Sequence, residues 1–422
     1  MLRRTNIVKF VALLHIYTTS IMQALSQRAQ EMGLPMTIEM AKKARELSAT
    51  GKQVISLSLG EPDFDTPDFI KAAAVEAMEQ NYTHYMPVPG FSDLQASIVK
   101  KFKRDNGLNY NPSQIVVSTG AKQSLLNVFL TLVNPGDEVI IPAPYWVSYM
   151  DQAKYCGGKV KILPTTMESG FKITAAQLEE VITPKSKVLI FSSPNNPCGA
   201  IYSKEDLAAI AAVVAKHPNL YIISDEIYEL LNYGEVKHIS IASFPEVYDQ
   251  TITVNGLSKG FAMTGWRVGY IGAPEWIAKA CTKFQSNFTS GTNSVAQRAC
   301  IAAVEADPST VHYMVDKFAE RRAKMVDWMN DIPGFELDTP PGAFYVFPRV
   351  SSILGKKFNG KVIDTSLDFS MYLLEEALVS TVPGDAFGLP GYIRFSYAAA
   401  EADLEEAVRR VKVAVAKLED SK

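Results

Sequence analysis

The sequence predicts an α/β protein: a large domain with a mostly parallel sheet between helices, followed by a smaller α+β domain. Three observations carry that prediction. Five short apolar runs each end in a polar, Gly-rich or Pro-rich cluster, helical spacings separate them, and a mixed pattern of short strands and a helix follows a long amphipathic stretch. In an open α/β sheet ligands lie beyond the carboxyl ends of the strands, so the five clusters are expected to converge on one crevice.

In chain order, Gln114-Ile115-Val116-Val117 runs into Ser118-Thr119-Gly120-Ala121-Lys122, and apolar residues 125, 126, 128, 129, 132 and 133 then keep a helical spacing up to Asn134-Pro135-Gly136. Glu138-Val139-Ile140-Ile141 ends in Pro142-Ala143-Pro144-Tyr145-Trp146. Lys187 to Phe191 ends in Ser192-Ser193-Pro194-Asn195-Asn196-Pro197-Cys198-Gly199, and Leu220 to Ile223 ends in Ser224-Asp225-Glu226-Ile227-Tyr228. The fifth run, Thr251 to Asn255, breaks at Gly256 and delivers Ser258 and Lys259; Trp266-Arg267-Val268-Gly269-Tyr270 then reads as another strand. Helix and strand are expected to alternate from Asp68 to Ala273.

Pro308 to Asn330 is the long amphipathic stretch, with Val311, Met314, Val315, Phe318, Met325 and Trp328 on its apolar side. Beyond it come Gly342 to Phe347, a helix over Ser366 to Val379, and Tyr392 to Tyr397. The expected organisation is an N-terminal extension (1–21), a segment packing with the small domain (22–69), a large domain (70–326) and a small C-terminal domain (327–422).

The 422 residues suffice for two domains, and 47% hydrophobic with 21% charged residues is ordinary for a soluble globular chain. A net charge of -3 supplies no basic footprint, which argues against nucleic acid or an anionic membrane surface as partner. Cys156, Cys198, Cys281 and Cys300 show no paired spacing, and the five histidines are scattered, so no metal-ligand constellation is expected and reduced thiols point to the cytoplasm. Arg3-Arg4 followed by Ile7 to Leu14 resembles the start of a signal peptide, but Lys9 and His15 interrupt it and no small-x-small cleavage site follows. Met22 offers an alternative start.

Among these termini a few side chains carry chemistry. Lys259 is a lysine on a strand end near Arg267; neighbouring cations and desolvation lower a lysine pKa and make the amine nucleophilic, although most lysines are solvated surface charges. Gly120-Ala121-Lys122 opens a helix whose free N–H groups can hold a phosphate, with Arg267 as a bidentate clamp; an ordinary strand–helix turn is the plainer reading. Without Lys259, Asp225 reads first as a helix cap or surface acid; Trp146 serves equally well as a core aromatic; Arg394 has the alternative of a charge at a sheet edge, but an arginine between Ile393 and Phe395 is hard to leave unpaired, which favours a ligand role.

Taken together, Asn196-Pro197-Cys198-Gly199, Ser224 to Tyr228, Ser258 to Tyr270 and Ile393-Arg394-Phe395-Ser396 resemble the class I and II aminotransferases, as does the first loop Ser58 to Pro67. The resemblance runs from Ala24 to the C-terminus in the same order and spacing, and Cys198 departs from it where the family usually has threonine. It implies a fold-type I enzyme dependent on pyridoxal 5'-phosphate. By the same resemblance Lys259 would carry the cofactor as an imine, Asp225 would face the pyridine nitrogen, Tyr228 and Asn196 would bond the phenolic oxygen, and Trp146 would stack on the ring. Gly120, Ala121, Lys122 and Arg267 would hold the phosphate with Tyr85 from a second copy, which implies a homodimer with shared sites. Arg394 and the Gly60 backbone would bind the α-carboxylate, with Trp146 and Asn196 alongside, while Lys122 and Thr37 would meet the distal end of the substrate. The subgroup resembled is that of aspartate and prephenate aminotransferases. Aspartate with 2-oxoglutarate is the first reading; prephenate, or a broader aromatic or alanine specificity, is the alternative.

Two rival readings exist. Gly256-Leu257-Ser258-Lys259-Gly260 matches the nucleophile elbow of serine hydrolases, but no helix is expected directly after it, and His312 alone lies downstream. Some transcription regulators carry an aminotransferase-like domain behind a winged helix, yet the residues before Gly60 hold no such module.

Overall fold

The computed structural model describes residues 25–420. The extension 1–21 and the alternative start Met22 lie outside the described residues. Residues 25–35 carry the short helix Gln27–Glu31, capped by Ser26, whose Oγ accepts from the Ala29 N–H at 3.3 Å. Among the described residues, 36–420 form a separate compact unit.

The strands in chain order are β1 (Ile55–Ser56), β2 (Ile115–Ser118), β3 (Glu138–Pro142), β4 (Lys159–Leu163), β5 (Ser186–Ser192), β6 (Tyr221–Asp225), β7 (Thr251–Gly256) and β8 (Gly269–Gly272), followed by β9 (Tyr345–Val346), β10 (Lys357–Phe358), β11 (Lys361–Val362), β12 (Val379–Ser380), β13 (Val382–Pro383) and β14 (Ile393–Ser396). The main sheet has the order β2-β8-β7-β6-β5-β3-β4. All its strands run in one direction except β8, which is antiparallel to both neighbours.

Apolar residues explain its two covered faces. Alternate strand residues point to opposite sides: Val188, Ile190 and Ile223 pack with Leu125, Phe129, Ile277 and Cys281, while Leu189 and Ile222 pack with Leu207, Ile210 and Val214. The covering helices are Ala121–Leu132 and Glu275–Phe288 on one face and Lys204–Val214 on the other. Burial on both faces is why these strands read as continuous apolar runs.

The C-terminal part is built on the antiparallel sheet β13-β14-β9. Two backbone links join it to the segment ahead of the main sheet. β1 pairs in parallel with β12, and the Ser396 N–H donates to the Leu57 carbonyl at 2.9 Å. The helix Met36–Ala49 buries Met40 and Ala44 against Leu374.

Four sequence expectations need correction. Helix and strand do not alternate from Asp68, because two helices, Asp68–Glu79 and Ser92–Asn106, precede β2. The edge strand β4 escapes pattern reading because lysines interleave its short apolar positions. Trp266 to Tyr270 is not one strand: Thr264–Trp266 is a 3-10 turn, Arg267 has a left-handed backbone at φ 56°, and β8 starts only at Gly269. The helix from Ser366 leaves the α geometry after Tyr372, widens over Leu373–Ala377, and gives Val379 to β12, whose ladder competes successfully for it. Pro308 to Asn330 is a 3-10 turn followed by the helix His312–Asn330, with Met314, Phe318 and Met325 buried as expected. Among the described residues no helix is long and apolar enough to cross a membrane.

Candidate active site

The carboxyl ends of β2, β3, β5, β6 and β7 open on one cavity of about 340 Å³. Each strand end supplies a side chain or turn to it: Ala121 and Lys122 after β2, Trp146 after β3, Asn196 after β5, Asp225 and Tyr228 at β6, and Ser258 and Lys259 after β7. Arg267, Gly60 and Thr37 line it too, and Arg394 reaches it from β14. Gly120 and Tyr85 are not among the lining residues. Gly120 lies directly behind Arg267, and Tyr85 is 97% exposed on the surface.

Lys259 points its ammonium at the Gly60 carbonyl, which accepts a hydrogen bond from it. Burial pulls the lysine down to about 8; Glu61 opposes the shift, and the cations Arg394 and Arg267 add to it. Near physiological pH that leaves a minority of the amine neutral, far more than the trace an ordinary lysine offers, and the neutral amine is what imine chemistry with a carbonyl compound requires. Asp225 is buried and is raised to about 6, mainly by desolvation, while hydrogen bonds from the Tyr149 hydroxyl (2.7 Å) and the Ile227 N–H (3.3 Å) hold it down. Lys259 acts on this carboxylate only from beyond ion-pair distance, so a protonated ring nitrogen opposite it would supply a cation in direct contact.

Arg394 is fully buried, with one guanidinium nitrogen donating to Asn196 Oδ1 at 2.8 Å and the other to the Ser58 carbonyl at 2.6 Å. Among the described residues its Nε has no hydrogen-bond partner. Burial lowers its affinity for a proton, and no carboxylate among the described residues is paired with it. An arginine so placed could pair with an anion from outside the chain. It stands on the central strand of its sheet, so the sheet-edge reading does not apply.

The phosphate-type cradle also fits. Gly120 has φ +81°, and a Cβ there would meet Arg267 Nη2 at 2.6 Å, so only glycine lets the guanidinium lie across the start of the helix Ala121–Leu132. The first N–H groups of that helix have no intrahelical acceptor. Arg267 anchors one Nη on the Thr264 carbonyl at 2.9 Å. At the rim, the Lys122 ammonium stands 4.9 Å from the Trp146 ring centroid, and desolvation followed by the Arg267 charge lowers it.

Sequence reasoning missed Tyr149, whose phenol meets Asp225; Tyr345, whose phenol lies 2.7 Å from that of Tyr228; and the Ser58 carbonyl. The spacing Trp146-x-x-Tyr149 on the turn into Ser148–Tyr155 was the available signal for the first. The expectation of no metal-ligand constellation also needs correction: Glu226, Glu229 and His238 come together with ligand atoms within 4.8 Å. Lys101 pairs with Glu229, His238 Nε2 lies 3.2 Å from a Glu226 carboxylate oxygen, and the hydroxyls of Ser224 and Ser240 donate to Glu226, so the cluster is already partnered within the chain. Among the described residues no histidine lines the main cavity and no α-helix follows Ser258 directly, so the hydrolase reading loses both of its requirements there.

Residues 52–411 match the family model of aminotransferases of class I and II. The chain is 46% identical to a protein of Rhizobium leguminosarum bv. phaseoli named as a probable aspartate/prephenate aminotransferase, across 89% of this chain and 94% of that one. Its fold is similar to the crystal structure of the aspartate aminotransferase from Rhizobium meliloti, with a TM-score of 0.91 at 40% identity over 94% of this chain and 99% of the other. It is also similar to the aspartate aminotransferase of Thermus thermophilus solved with maleate, with a TM-score of 0.87 at 38% identity, covering 93% and 99%.

Proposed function

The chain belongs to the class I and II aminotransferases and has their fold-type I architecture; on that premise we propose that it moves an amino group between L-aspartate and 2-oxoglutarate with pyridoxal 5'-phosphate as cofactor. One observation carries the reading. A lysine lowered to about 8 shares a cavity with a buried carboxylate that has no ion-pair partner, and with a buried arginine that faces no acid, among the described residues.

Pyridoxal phosphate, when bound, supplies a pyridine ring that takes up the electron pair left when a substrate Cα proton departs. Lys259 would hold it through its side-chain amine and, when free of it, would serve as the neutral base that carries the substrate Cα proton. Asp225 keeps the ring nitrogen protonated. Tyr228 and Asn196 would bond its phenolic oxygen, Trp146 would stack on its ring, and Gly120, Ala121, Lys122 and Arg267 would hold its phosphate through backbone N–H groups and a guanidinium fork. Arg394 orients the substrate by its α-carboxylate, beside the Gly60 backbone.

Aspartate follows from a second cation in the cavity. Lys122 and Thr37 line it together with Arg394, and two cations suit a dicarboxylate; maleate, named with the Thermus relative, is one. Prephenate is the second reading, favoured by Ile38 and Leu59, half-exposed apolar side chains that line the same rim and offer a surface to a ring. The same reading includes a homodimer, in which the exposed Tyr85 of one copy completes the phosphate site of the other, and a cytoplasmic location, consistent with four free cysteines. Nucleic acid and membrane are not among its partners in this reading.

Steady-state assays of aspartate, glutamate, alanine and phenylalanine against 2-oxoglutarate, oxaloacetate and prephenate test it. Aspartate with 2-oxoglutarate should give the highest kcat/KM among the pairs, with parallel double-reciprocal plots; a clear preference for a monocarboxylic donor would refute the two-cation reading.

A further inference from the structure

In the sequence Tyr345 reads only as one residue of the strand-like run Gly342 to Phe347. In the fold its side chain is completely buried, and its hydroxyl lies 2.7 Å from the Tyr228 hydroxyl. Among the described residues Tyr228 is the one hydrogen-bond partner that the Tyr345 phenol has. The Tyr345 ring also lies 4.4 Å from the Arg394 guanidinium carbon, and a Cβ on Gly60 would come within 2.2 Å of the Tyr345 oxygen. The chain has thus kept a glycine at 60 where the phenol passes, and packing fixes the hydroxyl tightly.

Each phenol has a single proton to donate. If the Tyr228 proton is given to an acceptor in the cavity, the Tyr228 oxygen can keep its bond to Tyr345 only by accepting, so Tyr345 must be the donor. We propose that Tyr345 is a positioning residue for the reaction: it donates to Tyr228 and thereby turns the Tyr228 proton toward the phenolic oxygen of bound pyridoxal phosphate. This inference rests on Tyr228 being the phenol that faces the cofactor.

The chemistry has a sign. A donor to the phenolic oxygen withdraws electron density from it, and a donor behind that donor strengthens the effect. The oxygen then holds the proton on the neighbouring Lys259 nitrogen less firmly. With both phenols in line, the Lys259-linked chromophore loses its proton at a lower pH than it does without Tyr345.

The test is a spectrophotometric pH titration of the holoenzyme for wild type, Tyr345→Phe, Tyr228→Phe and the double variant. Phenylalanine keeps the ring beneath Arg394, so packing is preserved while the hydroxyl is lost. The visible-band midpoint of Tyr345→Phe should rise by about 0.4 to 1 pH unit, the size of one neutral hydrogen bond. Tyr228→Phe should raise it further, and the double variant should match Tyr228→Phe. An unmoved midpoint in Tyr345→Phe beside a shifted one in Tyr228→Phe overturns the inference, as does a further shift in the double variant. An unmoved Tyr228→Phe overturns the parent reading of Tyr228 instead. If Tyr345→Phe does not hold cofactor, 3-fluorotyrosine incorporated at position 345, a stronger donor in the same ring, should lower the midpoint; an unmoved or raised midpoint overturns the proposal.

Discussion

The floor and the rim of the cavity are built differently. On the floor, Asp225, Tyr228, Asn196 and Arg394 are all buried, and each is fixed by a hydrogen bond within the unit. At the rim, Lys122, Arg267 and Glu61 are exposed and Thr37 is half-buried. In a desolvated floor every charge is strong and every unpaired group costly, so function there depends on individual atoms. At a solvated rim charges are screened, and their effects are graded and specific to substrate. Variants in the two regions should therefore differ in both size and pattern.

The largest effect belongs to the floor. Lys259→Ala should abolish borohydride-trappable cofactor and reduce turnover by roughly 10⁴-fold or more, because it removes both the covalent partner and the proton carrier. Rapid-quench turnover on aspartate checks it; a variant retaining a tenth of wild-type turnover would contradict the mechanism. Next comes Asp225→Asn, expected to cost about a hundredfold or more in kcat, the scale of removing one preorganised electrostatic partner.

The same substitution should act oppositely on stability. In the cofactor-free protein Asp225 is raised from 3.8 to about 6, so its contribution to stability is full below pH 3.8 and is lost as pH rises through about 6. Above that window Asp225→Asn should make the cofactor-free protein more stable than wild type by roughly 1 to 3 kcal/mol, and near pH 4 the gain should vanish. Urea midpoints at pH 4.5 and 7.5 measure the difference. An equal effect at both would mean that the carboxyl does not titrate with folding.

Across the boundary of floor and rim, Arg394→Ala should lower kcat/KM for every amino acid alike. Lys122→Ala should lower it for aspartate and glutamate by about tenfold to a hundredfold and leave phenylalanine nearly unchanged, since a hydrogen bond to a charged group is worth about 1.5 to 3 kcal/mol. Equal losses on both substrates would reduce Lys122 to support of the phosphate turn. The smallest expected effect is on a residue beneath the floor: Tyr149→Phe removes a hydroxyl that holds Asp225 down. In the cofactor-free protein the pH at which stability is lost through Asp225 should then move up by about 0.4 to 1 pH unit, read from urea midpoints across pH.

Legibility in the sequence also divides along structural lines. Strands β2, β3, β5, β6 and β7 were readable because burial on both faces makes each an apolar run, and their ends had to carry polar residues. Lys259, Asp225, Tyr228, Asn196 and Trp146 follow from those ends, and all of them line the cavity. Edge strand β4, with its lysines, and the turn at Arg267, whose left-handed backbone no local pattern announces, were not readable.

By itself, then, the sequence determined the α/β class, the crevice at the strand ends and the residue types that meet there, since period and punctuation are local properties of the chain. Tertiary structure alone decided how those residues are tuned. Tyr149 beneath Asp225, Tyr345 behind Tyr228, the Ser58 carbonyl on Arg394 and the Glu226, Glu229 and His238 cluster on Lys101 are contacts between distant segments. Desolvation, which brings Lys259 down to about 8 and Asp225 up to about 6, arises only when those segments close over the groups and exclude water.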